Sequence, residues 1–368
     1  MSFSFLKTIA FRNLADEEID VRGKDVFLVG ENGHGKSNFL EALYFCSYAS
    51  SFRRVKDKDL IQTGEKNCSA SLSFDSSVYR NINVSLRDGE KIISLDGKKI
   101  KDRKELLSVA PSIVFCHEDM EFVSGTPEKR RWFFDQTRSL WDPLYLDDFR
   151  KYRYVLKTRN TIFRSHRTAS GENRLDGETA ATLDALDPQL ALFGLELCAK
   201  RRETAEEFTL VFENLYREIS GIDGIGVKYQ PSWKEENLDQ VIDRLSEKRE
   251  MDFSAGVSLS GPHRDHYLFT RNGEEFSVKA STGQRRLLAL LLRIAQAVFF
   301  SKKTGKKPVL LLDDVLLELD GEKRKKFLSF MPEYEQAFYT FLPEEPYNKY
   351  RKYDTIVYHI DSGRLKLV

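Results

Sequence analysis

The run Gly30-Glu31-Asn32-Gly33-His34-Gly35-Lys36-Ser37 satisfies the pattern Gly-x-x-x-x-Gly-Lys-Ser/Thr in full. Glycines at these positions let the chain turn so that backbone N–H groups converge on phosphate oxygens, and a following helix adds its positive end. Lys36 is spaced to reach the β- and γ-phosphates of a nucleoside triphosphate, and the Ser37 hydroxyl to join a Mg²⁺ shell. Asn38 follows directly and is counted with the loop as nucleotide-binding. Far along the chain, Val309-Leu-Leu-Leu-Asp313-Asp314 is an apolar run ending in two acids. A carboxylate at the end of a neighbouring strand is what a triphosphate loop needs to hold Mg²⁺, which assigns Asp313 to the metal and Asp314 to polarising an attacking water. Ser281-Thr282-Gly283-Gln284 opens a long helical pattern. It reads either as an ordinary N-terminal capping box or as a second phosphate-binding surface built from Ser281, Gly283 and Gln284.

These residues need elements to hold them. Asp25–Val29 is a short apolar run ending at Gly30, which predicts a buried strand, and Ser37–Tyr48 carries Leu40, Leu43, Tyr44 and Ser47 at helical spacing, which predicts an amphipathic helix. Phe3–Phe11 and Ser112–Cys116 predict strands. Between them, alternating runs from Ala70 to Leu95 are punctuated by Asp88-Gly89 and Asp96-Gly97, the signature of tight hairpins. From Glu128 to about Gly221 long helical stretches dominate, broken by the polar segment 168–177. Strands return at Val227–Gln230 and at Tyr267–Val278, with Asn272-Gly273 as a turn. A helix over Gly283–Phe300, the acidic strand and weaker strands near Ala337 and Thr355 follow. The expected architecture is α/β, a mixed sheet with an antiparallel part. Its ATPase domain is split into 1–126 and 226–368 around a helical lobe at 127–225.

In order of occurrence, the phosphate loop, an inserted lobe, Ser-x-Gly-Gln and an acidic strand resemble the ABC-type ATPases, with Leu319-Asp320 in the place of their D-loop. Further motifs narrow the resemblance to the RecF family of bacterial replication and repair proteins, which are SMC/Rad50-like heads without a long coiled coil. They are Phe11-Arg12-Asn13-Leu14, Ser51-Phe52-Arg53, Glu118-Asp119, Gly125-x-Pro127-x-x-Arg130-Arg131, Ser260-Gly-Pro-His263-Arg264-Asp265 and Leu311-Leu-Asp313-Asp314-Val315-x-x-Glu318-Leu319-Asp320. His117 stands where a proline is usual, and His266 where a second aspartate is usual. The resemblance implies that Arg12 and Asn13 join the nucleotide site and that ATP and Mg²⁺ are the cofactors. It also implies ATP-dependent homodimerisation on single-stranded, double-stranded or gapped DNA, with the signature turn of one subunit closing over the nucleotide of the other. RecO and RecR would be partners in loading RecA and in the SOS response. A non-hydrolysing ATP-dependent DNA scaffold and a transport ATPase subunit are the alternatives.

Composition sets the outer bounds. The chain has 368 residues, 41% hydrophobic and 31% charged, enough apolar material for about two domains and too much for a disordered chain. Lys+Arg 58 against Asp+Glu 57 leaves +1, which excludes a uniformly basic protein but not a local patch. Between Lys129 and Arg167 eleven basic residues meet four acids, a candidate DNA surface. Trp132, Phe133, Phe134, Tyr152 and Tyr154 fall within it, more in keeping with core than with base stacking. His263-Arg264-Asp265 has no accompanying nucleophile and reads as a structural turn in which Arg264 and Asp265 pair. The four cysteines form no metal- or disulfide-type pattern, and the first residues form no secretory leader. A cytoplasmic ATPase is the expectation.

Overall fold

A computed structural model describes residues 2–75, 78, 80–170, 176–315 and 321–368. Contacts divide the chain into one unit of residues 1–120 and 287–368 and a second of 121–286. The discontinuity expected from the sequence is present, but its boundaries differ. Residues 226–286, expected in the ATPase domain, belong to the second unit. The reason is local pairing: strand Ile225–Gln230 runs antiparallel to His266–Arg271 and packs on helix Gly177–Ser220, so this small sheet stays with the helices.

The first unit holds two six-stranded sheets. In one, the order is Glu18–Asp20, Ser2–Ile9, Cys68–Asp75, Asn81–Arg87, Glu90–Leu95, Lys98–Ile100, antiparallel throughout. Its hairpins turn at Asp88-Gly89 and Asp96-Gly97, whose φ values of 50°, 81°, 50° and 78° are the left-handed pairs that two-residue turns require. The other sheet has the order Arg364–Leu367, Thr355–Asp361, Asp25–Val29, Gln336–Phe341, Val309–Leu312, Ser112–Phe115. All its pairs are parallel except that of Thr355–Asp361 with Arg364–Leu367. Parallel strands covered on both faces should be apolar throughout, and Asp25–Val29, Gln336–Phe341 and Val309–Leu312 are buried at every residue.

Helix Lys36–Tyr48 lies between the sheets, touching Cys68–Asp75 and Asn81–Arg87 of one and Gln336–Phe341 and Ser112–Phe115 of the other. It is buried at every position except Ser37 and Asn38, so it is enclosed and not amphipathic. The sequence pattern missed this because Glu41, Ser47 and Lys36 are polar yet buried. Helix Thr282–Thr304 is buried from Leu288 to Phe300 except at Val298. Arg293, which interrupts its apolar run, is paired with Asp119 at 2.7 Å and 3.0 Å and with Gln296 at 2.8 Å. A buried guanidinium this fully partnered is the physical reason the polar pair is tolerated.

The second unit is built on helices Pro127–Ser139, Pro143–Ser170 and Gly177–Ser220. Its strand His266–Arg271 turns at Asn272-Gly273, as expected, but the return strand is only Glu274–Glu275. Phe276–Lys279 is a helical turn closed by Ala280 N–H on the Phe276 carbonyl at 2.9 Å. Among the described residues no helix is long and apolar enough to cross a membrane.

Candidate nucleotide site

The site begins where a buried strand must become a helix within six residues. Strand Asp25–Val29 ends at Gly30, where an added Cβ would stand 2.4 Å from the Ile360 carbonyl oxygen, so only glycine fits. Gly33 at φ 83° and Gly35 at φ 115° then reverse the chain. Gly35 takes the N-cap position of helix Lys36–Tyr48 with no side-chain cap, which leaves the first-turn N–H groups directed at whatever lies beyond the helix end. Glu31, Asn32 and Gly33 form the exposed crown of the loop. Lys36 folds back beneath it, its ammonium donating to the carbonyls of Gly30 at 2.7 Å and Glu31 at 3.1 Å. His34 sits opposite Asp361, with Nδ1 and Oδ1 3.1 Å apart, and its carbonyl accepts the Gly363 N–H at 2.9 Å, so the last hairpin braces the loop.

The two carboxylates arrive from Val309–Leu312. That strand is not next to the loop strand: Gln336–Phe341 lies between them. Ser37 stands close enough to Asp313 to favour its charged form, so the two expected metal ligands face each other. Burial pushes the Asp313 carboxyl up to about 6; Ser37 and Arg53 oppose this, while the charges of Asp314 and Glu118 add to it. A carboxylate disfavoured in its charged form and a hydroxyl beside it are hard oxygen donors that suit Mg²⁺. Among the described residues no group of three His, Cys, Asp or Glu could hold a metal alone, so a cation here would draw its remaining ligands from phosphate and water. Asp314, at φ 53°, turns away from its strand and is held by Thr340.

Arg12 and Asn13 reach the same region by different routes. Asn13 donates to the Gly33 carbonyl at 3.0 Å and accepts from Asn38 at 2.7 Å, so it splints the loop to the helix. Arg12 is bound side-on to Glu41 at 2.8 Å and 3.2 Å. Glu41 has 0% exposure and also accepts from Ser51 and faces Arg53 at 3.6 Å, while Arg53 donates to Asn38 at 2.8 Å. Glu41, Thr340 and the role of Arg53 as neighbour of Asp313 were not read from the sequence. A lone Glu inside a helical pattern and a Thr inside a strand carry no signal of their own.

The turn Ser281–Gln284 belongs to the second unit and does form a capping box. Ser281 N–H donates to Gln284 Oε1 at 2.8 Å, and Gln284 N–H to Ser281 Oγ at 3.3 Å. Both readings of the motif survive this, since Ser281, Thr282 and Gly283 are exposed. A Cβ at Gly283 would meet nothing within 4 Å. Leu319 and Asp320, read as a D-loop, lie outside the described residues, as does Glu318.

The basic segment separates into two populations. Arg159 is fully buried between Asp187 at 2.8 Å and Asp252 at 2.6 Å, and Arg138 is paired with Asp142 and Glu203. Arg130 and Arg131 donate to the carbonyls of Tyr267 and Asp265. Arg150, Lys151, Arg153, Lys157 and Arg164 are exposed on helix Pro143–Ser170, together with Tyr154 at 73% exposure. Phe133, Phe134 and Tyr152 are core, as expected, whereas Tyr154 is exposed against that expectation and Trp132 is half-buried. Asp265 pairs with Arg201 at 2.9 Å and with Tyr229 and Ser232. The pair expected with Arg264 is therefore replaced by one from helix Gly177–Ser220, which sequence adjacency could not reveal.

Residues 4–361 match the family described as RecF/RecN/SMC N terminal domain. The chain is 40% identical over 360 residues to the DNA replication and repair protein RecF of Treponema pallidum (strain Nichols), covering 97% of this chain and 99% of the relative. It is 32% identical to RecF of Streptococcus equi subsp. zooepidemicus (strain MGCS10565), covering 94% and 92%. Among solved structures, the recombination mediator protein RecF-ATP in the RecFOR pathway superposes with a TM-score of 0.87 at 27% identity, covering 100% of this chain and 97% of that one. An Smc head domain from Pyrococcus furiosus, 16% identical with a TM-score of 0.52 and coverage of 100% and 95%, shares the fold.

Proposed function

The chain belongs to the RecF family of DNA replication and repair proteins, and from that premise we propose that it is a DNA-dependent ATPase that closes as a dimer around two ATP molecules. The observation that carries this reading is the division of the chemistry. One unit bears the phosphate loop with Lys36, Ser37, Asp313 and Asp314. The other bears Ser281, Gly283 and Gln284 on an exposed helix start where nothing among the described residues requires a glycine.

Phosphoryl transfer to water asks the protein for positioning and charge neutralisation. Lys36 exchanges its loop carbonyls for β- and γ-phosphate oxygens. Ser37 and Asp313 would hold Mg²⁺, which would offset phosphate charge. Asp314 orients the attacking water and draws its proton. Ser281, Gly283 and Gln284 serve the partner subunit's triphosphate, so ATP acts as the tie between subunits and hydrolysis releases it. Turnover is slow and rises on DNA. The exposed Arg150, Lys151, Arg153, Lys157 and Arg164 form part of the surface that takes single-stranded, double-stranded or gapped DNA. The protein acts with RecO and RecR to load RecA at damaged or gapped forks and so to support the SOS response, in the cytoplasm.

Sedimentation velocity with ATP and DNA tests the core of this reading. The unaltered protein is expected to shift from monomer to dimer, and Lys36→Met and Ser281→Arg each to remain monomeric. ATP-driven dimerisation that persists in Ser281→Arg overturns the shared site.

A further inference from the structure

We propose that Thr340 is the positioning residue that sets the carboxylate of Asp314 for water activation; this rests on the reading of Asp314 given above. The backbone creates the need for it. Val309–Leu312 pairs in parallel with Gln336–Phe341 through Leu312 opposite Tyr339, and there the ladder stops. Asp313 N–H turns to the other neighbouring strand and donates to the Phe115 carbonyl at 2.9 Å. Asp314 then enters the left-handed region at φ 53°, which a short polar side chain tolerates, and leaves the strand, so what sets its main chain and carboxylate must come from a neighbouring element.

Thr340 supplies that determination from both sides of one residue. Its Oγ1 accepts the Asp314 backbone N–H at 2.7 Å and donates its proton to Asp314 Oδ1 at 2.8 Å. A hydroxyl can accept and donate at once, which neither an aliphatic side chain nor a second carboxylate can do here. The two bonds close a ring that fixes the main chain and the carboxylate of Asp314 together. With Oδ1 committed to Thr340, Oδ2 is the oxygen assigned to the water. Thr340 is 3% exposed, so water does not substitute readily for its hydroxyl.

The residue's place in the sheet extends this. Thr340 stands opposite Leu28 on the loop strand, one pair before Phe341 opposite Val29 and two residues short of Gly30 on the loop side. Gln336–Phe341 thus lies between the two strands that carry the chemistry, and Thr340 is the point where it touches the acid. The hydroxyl also stands 3.4 Å from Asp313 Oδ1, so both carboxylates are referenced to one rigid, fully buried strand. Nothing in the stretch Gln336-Ala-Phe-Tyr-Thr-Phe marks this residue in the sequence.

The test compares Thr340→Val, Thr340→Cys and Thr340→Ser with Asp314→Asn, measuring nucleotide affinity with a fluorescent ATP analogue, steady-state turnover on DNA, and thermal melting. Thr340→Val keeps the shape and deletes the hydroxyl. Thr340→Cys is isosteric with Thr340→Ser but offers only a weak thiol donor, so the pair isolates the hydroxyl if the valine variant does not fold. Either is expected to lower kcat at least tenfold with ATP affinity unchanged within about threefold, while Thr340→Ser stays within about threefold of the unaltered protein. Combining Thr340→Val with Asp314→Asn is expected to lose nothing beyond Asp314→Asn alone. Unaltered kcat in Thr340→Val and Thr340→Cys, alongside an inactive Asp314→Asn, overturns the role of Thr340 and leaves the reading of Asp314 standing. Equal losses in the serine, valine and cysteine variants, tracking their melting temperatures, likewise reduce Thr340 to a structural residue. Full activity in Asp314→Asn removes the premise and this inference with it.

Discussion

The imidazole of His263 shows how much a single buried ring can report. The Ser258 carbonyl, 2.9 Å from Nε2, can only accept, so Nε2 carries the proton and Nδ1 accepts from the Tyr152 hydroxyl at 2.7 Å. The neutral ring is fully satisfied and a second proton has no place. Burial, with Arg264, Arg131 and Arg201 nearby, pushes its pKa down to about 4 against the partial support of Ser258. An unfolded chain takes up that proton near pH 6.5, whereas the folded one resists until about pH 4. The unfolded state therefore binds more protons in this window, and stability falls as pH is lowered through it. Urea unfolding at pH 7 and pH 5 is expected to show roughly 2 kcal/mol of extra loss in the unaltered protein compared with His263→Gln. Equal losses in the two would mean that the ring is solvated. The same reasoning disposes of a catalytic role, since both nitrogens are already in use.

At the scale of elements, the start of helix Thr282–Thr304 carries a glycine that the stability of the helix does not call for. The box between Ser281 and Gln284 is what a stable helix start needs, but Gly283 is not. It has no positive φ and, among the described residues, no neighbour that a methyl group would strike, so alanine is the better helix former there by up to about 1 kcal/mol. Gly283→Ala is thus expected to raise the melting temperature slightly while weakening ATP-driven dimerisation at least tenfold. Stability and assembly moving together, or neither moving, would leave the glycine without a role at a second subunit. The helix behind the phosphate loop makes the complementary point. Its enclosure between two sheets gives Glu41 no exposure, and there it gathers Arg12, Arg53 and Ser51. Removing one partner from such a cluster costs several kcal/mol because the remaining charges stay buried.

Across the whole molecule, charge matters by where it is, not by its sum. A net of +1 conceals a helix face carrying Arg150, Lys151, Arg153, Lys157 and Arg164, while Arg159 of the same run is spent on two buried carboxylates and the buried Arg138 on Asp142 and Glu203. Each phosphate contact releases counterions, so its loss flattens the dependence of affinity on salt. Arg150→Ala with Arg153→Ala is expected to lower the slope of log affinity against log salt by up to about 2 on duplex DNA, whereas Arg159→Ala would act on stability. A slope unchanged by the first pair places DNA elsewhere on the molecule.

What the sequence determined by itself is what neighbours along the chain can decide. The phosphate loop occupies eight consecutive residues, the hairpins turn on Asp-Gly pairs, and the acidic strand is an uninterrupted apolar run, so local backbone preference and periodicity were enough to read them. Tertiary structure decided everything that depends on meeting across long separations: Thr340 against Asp314, Glu41 between Arg12 and Arg53, Asp119 against Arg293, Arg201 in place of Arg264 for Asp265. It also moved 226–286 into the second unit and divided the basic run into exposed and buried members. The physical reason is that an isolated polar residue in an apolar pattern has no fixed meaning until the fold supplies its partner. Burial then makes that partner obligatory, because an unpaired charge or hydroxyl away from water is too costly to keep.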